Sequence, residues 1–255
     1  ESSGSVNLAS GRAQISADTR FAGGTLNLAA ASSDLRMMGR TVVTDQVNVL
    51  GTGTLRNGIS GEMTLLDGST LNQVGLVNQG VLEIGEHAGA ASVDRLTMTA
   101  DSVFRVDIGG FVAGSEHDLL IVSGGAAQLA GSIEVRLGDV GGAELKPSIG
   151  DSFTVITSLG GISGTFDADP VTMFDGSAYH WVIDYQPNQV VLSLDEITRP
   201  CIADFEGSGE VDVPDIFRFL TRWFEGHIAT DIDGSGAVAV PDILLFLTMW
   251  FQGCE

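Results

Sequence analysis

The chain has 255 residues and a formal charge of −21, from 33 acidic against 12 basic side chains. That balance argues against nucleic acid as a partner, because phosphate recognition rests on cationic contacts. With 34 glycines, 44% apolar and only 7% aromatic residues, the composition describes an ordered chain of short strands and tight turns, and no run of 18 apolar residues offers a membrane span.

Residues 1–115 alternate apolar and polar side chains in segments of three to five residues, at 5–8, 24–28, 47–50, 53–56, 63–66, 69–72, 81–84 and 96–98. Gly, Asn, Asp or Ser turns bound each of them. Strands this short suit solenoid rungs, whose stacked repeats bury a continuous core. The expected period is a degenerate 15 to 25 residues with no fixed register, and a β-sandwich is the competing arrangement. Asn57, Asn72 and Asn78 read equally as a ladder along the turns or as isolated turn residues. Arg56, Arg95 and Arg105 read as solvated positions on strands.

Residues 94–195 are more regular. Residues 94–110 read as a strand, a turn and a strand, further strand-like stretches lie at 118–124, 127–137, 150–156 and 162–166, and a final pair at 181–185 and 190–194 turns at Pro187-Asn188. Residues 116–195 are thus expected to form the distal rungs and capping strands. The run of D-x-L-x-V, L-x-G-x-I-x-V, G-D-x-F-x-V-I and I-S-G-x-F motifs resembles the distal rungs of bacterial autotransporter-type β-helix passengers, over about 100 residues. The resemblance implies an extracellular, right-handed parallel β-helix with a capped end, and no particular activity. Residues 196–200, with one proline, read as a short stiff linker.

Residues 201–255 contain one unit twice. The loop from Asp204 to Asp215 aligns with that from Asp231 to Asp242, and the match continues through Ile216/Ile243, Phe219/Phe246, Leu220/Leu247, Trp223/Trp250 and Gly226/Gly253. A twelve-residue calcium loop takes oxygen donors at positions 1, 3, 5, 9 and 12, a backbone carbonyl at 7 and glycine at 6. The first copy supplies Asp204, Glu206, Ser208, the Glu210 carbonyl, Asp212 and Asp215, with Gly209 at the turn. The second supplies Asp231, Asp233, Ser235, the Ala237 carbonyl and Asp242, with Gly236 at the turn. Ala239 gives the second copy no side-chain ligand at position 9, so two Ca²⁺ sites are expected, the second weaker. Pro214 and Pro241 suit the first helical turn, and Ile216, Phe219, Leu220 and Trp223 form an amphipathic stripe that the second copy repeats. The segment before the first loop is too short and proline-broken to be an entering helix. Each unit is therefore half an EF-hand, a loop and its exiting helix.

This tandem closely resembles the type I dockerin family. The resemblance implies a small all-α, calcium-folded module that binds another protein, a cohesin-like domain in that family, through contacts near Val213-Pro214 and Val240-Pro241. Small hydroxyl residues common there in cellulosomal members are absent from this chain. Phe217, Leu244 and Leu245 fall outside the inner stripe and add to the expected partner-binding surface. Cys201 and Cys254 bracket the module; a clasp between them would be worth on the order of 4 kcal/mol in the chain-entropy model and fits an oxidising compartment, and two free thiols are the alternative. A β-helix followed by such a module is similar to secreted proteins of planctomycete-type bacteria.

No catalytic constellation emerges. His87, His117, His180 and His227 lack metal spacing, and no serine sits in a nucleophile elbow. Asp107 with Asp118, or Glu83 with Glu86, are the candidate carboxylate pairs for glycoside chemistry. His180 with Tyr179, Trp181 and Tyr185 is either a sugar platform or a buried aromatic cluster. The expectation is a mainly β, non-catalytic, secreted structural protein that docks through its C-terminal module onto a cohesin-like domain or a neighbouring copy, giving a homopolymer, filament or surface layer. A glycan-binding or glycan-degrading β-helix anchored through that module is the alternative, and a calcium sensor, which needs complete helix–loop–helix pairs, ranks below both.

Overall fold

A computed structural model describes residues 4–253 except 141–142, 175–176, 199–200, 207 and 209. The chain folds as two units, Glu1–Ile197 and Thr198–Glu255. The turn glycine expected at Gly209, the end of the linker at 199–200 and Cys254 fall outside the described residues.

The first unit is a β-solenoid. Its opening rungs are β1 (Gly4–Leu8), β2 (Arg12–Ile15) and β3 (Thr19–Phe21), then β4 (Gly24–Leu28), β5 (Asp34–Met37) and β6 (Arg40–Val43), then β7 (Val47–Gly51), β8 (Thr54–Asn57) and β9 (Glu62–Leu65). In the next two rungs one long strand serves two sides: β10 (Thr70–Asn78) precedes β11 (Val81–Ile84), and β12 (Ala90–Met98) precedes β13 (Val103–Ile108). The winding continues through β14 (Leu119–Val122), β15 (Ala127–Leu129) and β16 (Ser132–Leu137), passes the small pair β17 (Asp139–Val140) and β18 (Ala143–Glu144), and reaches β19 (Ser152–Ser158) and β20 (Ile162–Gly164). Like sides stack in parallel, so β1, β4, β7, β10, β12, β14 and β19 form one face, and β3, β6, β9, β11, β13 and β16 another.

Period-2 alternation puts one row of each strand inside. Leu26, Val49, Leu71, Val93 and Val122 stack on the first side, Leu35, Leu55, Leu76 and Leu96 on the second, and Met63, Leu82, Phe104 and Ile133 on the third, all buried. The sequence offset between stacked residues is 23 from Leu26 to Val49 and 22 at each of the next two steps, and widens to 29 at Val122. The sandwich alternative is thereby replaced, since a sandwich pairs its strands antiparallel within each sheet. Strands β2, β3, β5 and β6 escaped the sequence reading because Arg, Asp and Gln occupy their outward rows and dilute the alternation.

Close rung spacing constrains the corners. Gly51 has φ +100°, and a Cβ there would lie 2.0 Å from the Leu28 carbonyl oxygen of the rung beneath. Asn57 and Asn78, both fully buried, stack in register between Met37 and Met98. Asn57 Nδ2 donates to Asn78 Oδ1 at 2.7 Å and to the Val81 carbonyl at 2.7 Å, and Asn78 Nδ2 donates to the carbonyl of Gly80 at 3.0 Å. These two side chains form a ladder, whereas Asn72 is exposed and takes no part.

Antiparallel strands β21 (Val171–Phe174), β22 (Ser177–Gln186) and β23 (Gln189–Thr198) close the unit, with β23 against β19 and β21 against β22. Residues 196–198, expected as linker, continue β23, and Ile197 packs against the core. Trp181 and Tyr179 are buried: Trp181 meets the Phe153 ring edge-on and its Nε1 donates to Thr172 Oγ1 at 3.1 Å. Tyr179 and Trp181 thus belong to a buried aromatic cluster, and His180 and Tyr185 are half-buried beside them.

The second unit contains α1 (Val213–Phe224), a 3-10 turn (Ile228–Thr230) and α2 (Val240–Gln252). Phe219 and Phe246, equivalent in the two repeats, are fully buried and stack face to face with centroids 4.0 Å apart, and Phe205 meets both edge-on. Gly226 and Gly253 follow the helices with φ near +70°, which glycine adopts without a Cβ penalty.

Candidate functional site

The two acidic loops of the second unit are organised from their last position backwards. Pro214 and Pro241 start the helices, which places Asp215 and Asp242 in the first turn, where a carboxylate is favoured by the unpaired backbone N–H groups. Both carboxylates are fully buried. Asp215 accepts the backbone N–H of Glu206 at 3.0 Å and of Asp212 at 2.9 Å. Asp242 accepts those of Asp233 at 3.1 Å and Ala239 at 2.7 Å. In each copy the twelfth residue thus clasps positions 3 and 9 of its own loop.

The first position closes the other end. Asp204 Oδ1 accepts Ser208 N–H at 2.9 Å, and Asp231 Oδ1 accepts that of Ser235 at 3.0 Å. The Ser208 hydroxyl lies 3.2 Å from the Glu210 carbonyl oxygen, and the Ser235 hydroxyl 3.3 Å from that of Ala237. Donors expected at positions 5 and 7 are therefore neighbours in both copies. Carboxylate oxygens of Asp231, Asp233 and Asp242 lie within 4.8 Å of one another.

Such crowding has electrostatic consequences. Hydrogen bonds from the Ser235 side chain and backbone hold the Asp233 carboxyl below its ordinary range. Partial desolvation, with the charges of Asp215, Glu210 and Asp204, raises that of Asp212. An all-oxygen donor set with several carboxylates suits a hard cation needing six to eight ligands, and a divalent charge would reverse the mutual repulsion. The residues present fit calcium: Asp204, Glu206, Ser208, Glu210 O, Asp212 and Asp215 would hold one ion, and Asp231, Asp233, Ser235, Ala237 O and Asp242 the other.

The copies are tied crosswise. Trp223 Nε1 donates to the carbonyl of Ala239 at 3.0 Å, and Trp250 Nε1 to that of Asp212 at 2.8 Å. Each indole thus bonds position 9 of the opposite loop, which couples the loops through the helices. Val213, Phe217 and Phe224 lie exposed along α1, and Val240, Leu244 and Phe251 repeat them along α2. Pro214 and Pro241 are exposed beside them. Leu245, expected with this surface, is half-buried.

The candidate carboxylate pairs are otherwise engaged. Arg136 binds the Asp107 carboxylate through Nε and Nη2, and Glu83 is bridged by Arg105 and Arg136. Asp118 is buried and accepts backbone N–H groups of Gly89 at 3.0 Å and Asp107 at 2.8 Å, fastening a corner between rungs. Burial pushes its carboxyl up to about 8. Glu86 faces Arg20 at 3.9 Å and borders the same open space as Glu83, Arg105 and Arg136. The arginines read as solvated are ion-paired: Arg56 to Asp34, Arg95 to Asp94, and Arg105 to Glu83 and Glu134.

No protein-family model matches the chain, and no curated protein matches it. Among the described residues no helix is long and apolar enough to cross a membrane.

Proposed function

We propose that this is a non-catalytic, secreted structural protein whose solenoid serves as a stiff shaft and whose C-terminal unit is a dockerin-like, calcium-dependent docking module. The observation that carries this reading is the repeated pair of fully buried position-12 carboxylates, each set in a loop whose remaining donors are all oxygens. The first loop brings five ligand side chains against four in the second, so the second site is the weaker. Calcium would pull each loop onto its helix and, through the crossed indole bonds, fix the angle between α1 and α2. That angle sets the spacing of the exposed rows Val213–Phe217–Phe224 and Val240–Leu244–Phe251, the surface offered to a cohesin-like domain or to a neighbouring copy. A Cys201–Cys254 clasp would secure the ends of the module in an oxidising, extracellular setting. Parallel crossovers favour a right-handed wind for the shaft.

Calorimetric titration of chelator-treated protein with Ca²⁺ tests the reading and is expected to resolve two sites of unequal affinity. Size-exclusion chromatography in millimolar Ca²⁺ and in EDTA tests self-association. No heat of calcium binding, with an unchanged melting profile in EDTA, would overturn the docking-module assignment.

A further inference from the structure

The second side of the solenoid carries a basic groove inside a strongly acidic chain. Arg12, Asp34 and Thr54 form one outward row across β2, β5 and β8, and Gln14, Arg36 and Arg56 form the next. Arg36 and Arg56 are direct lateral neighbours, about 4.8 Å apart along the sheet, where like charges destabilise each other. Asp34 is the carboxylate among them: Arg56 Nη2 lies 3.1 Å and Arg12 Nε 3.9 Å from its Oδ2. Arg36 turns the other way, and its Nη2 donates to Gln79 Oε1 at 2.7 Å. Its Nε is buried and meets no acceptor among the described residues. Arg12 and Arg56 share the Asp34 carboxylate and Arg36 faces an uncharged amide, so the groove keeps two formal positive charges. These residues border a shallow, open groove of roughly 380 Å³.

The other arginine cluster of this unit is built differently. Arg105 and Arg136 are matched by Glu83, Asp107 and Glu134 and hold neighbouring rungs together. The groove lacks that matching, and the Arg12 side chain is 89% exposed. Clustering like charges without enough counter-charge costs stability, and an anionic ligand offsets that cost.

We infer that this groove binds an acidic glycan, with a uronate-type carboxylate between the guanidiniums of Arg12, Arg36 and Arg56. Arginine forks match a planar carboxylate in two-point contacts. The amides of Gln14 and Gln79, which both donate and accept, suit sugar hydroxyls at the groove's edges. A chain charge of −21 repels polyanions at long range, so densely charged nucleic acid is disfavoured, whereas one carboxylate per sugar fits a local patch. The inference does not depend on calcium or on the docking module.

Calorimetry on the full chain in EDTA, at low ionic strength, tests it with oligogalacturonate, dextran sulfate, neutral dextran and a single-stranded oligonucleotide. EDTA removes calcium bridging between acidic sugar and acidic protein. Oligogalacturonate is expected to bind, and both Arg12→Gln and Arg36→Gln to weaken it about tenfold, the loss of one charge-assisted contact. Arg12→Gln guards against misfolding, because its side chain is almost wholly in solvent, and melting curves check both variants. Binding unaffected by either substitution, equal binding of neutral dextran, tighter binding of dextran sulfate or the oligonucleotide, or no binding of oligogalacturonate overturns the inference.

Discussion

Replacement of Asp242 by alanine separates the structural role of the position-12 carboxylate from its role toward calcium. The side chain is fully buried and is the acceptor for Asp233 N–H at 3.1 Å and Ala239 N–H at 2.7 Å. Alanine leaves both donors unpaired, and because both bonds are only part-buried the penalty falls toward the low end of about 1–3 kcal/mol each, so a loss of about 2–4 kcal/mol is expected without any metal. A unit of this size has a total stability of only about 3–8 kcal/mol, and each kcal/mol moves the midpoint by about 4–8 °C. Scanning calorimetry of the full chain in EDTA should therefore show the transition of residues 198–255 lowered by at least 8 °C or so, with the solenoid transition unmoved. Calcium at a hundredfold over its dissociation constant adds about 2.7 kcal/mol per site, and the variant should recover one such increment where the parent recovers two. An EDTA midpoint within about 2 °C of the parent would refute the clasp argument. A calcium increment equal to the parent's would refute the ligand assignment.

Three further outcomes concern the solenoid. Asn57→Ala removes the donor to Asn78 Oδ1 and the Val81 carbonyl and is expected to cost about 2–4 kcal/mol in denaturant unfolding, from unpaired acceptors and the cavity. Gly51→Ala combines φ +100° with a 2.0 Å approach to the Leu28 carbonyl and should destabilise by about 2 kcal/mol or more, from strain and rung displacement. The Asp118 carboxyl stands at about 8 in the folded chain against 3.8 when unfolded. The folded state therefore keeps a proton that the unfolded state has released, so the contribution of Asp118 to stability is highest below pH 4, falls as pH rises to about 8 and is level beyond. Subtracting the pH profile of Asp118→Asn from the parent's should isolate that slope, and parallel profiles would refute it.

Much of the acidic tandem was legible because its information is local. Loop donors, turn glycine, first-turn proline and the amphipathic stripe all lie within 23 residues, and duplication doubles the signal. The buried pair Phe219 and Phe246 and the exposure of Phe217 and Leu244 follow from helical period alone. The crossed indole bonds, from Trp223 to Ala239 and Trp250 to Asp212, join residues 16 and 38 positions apart. Repeat symmetry aligns those positions but does not reveal that the bonds are exchanged.

For the solenoid, short strands and frequent turns were readable and made stacked rungs the expected class, and the parallel pairing of like sides decided it against a β-sandwich. Register was not readable, because offsets of 22 or 23 drift to 29 once loops enlarge the later rungs. Register decides which distant residues share a face, so it alone turned Asn57 and Asn78 into a ladder, matched Arg105 with Glu83 and Glu134, and gathered Arg12, Arg36 and Arg56. The sequence by itself determined the two kinds of unit and the oxygen-rich loops, since these follow from periodicity and from donors close along the chain. The tertiary structure decided the charge networks and the basic groove, because contacts about one rung apart depend on a sum of loop lengths that no local pattern encodes.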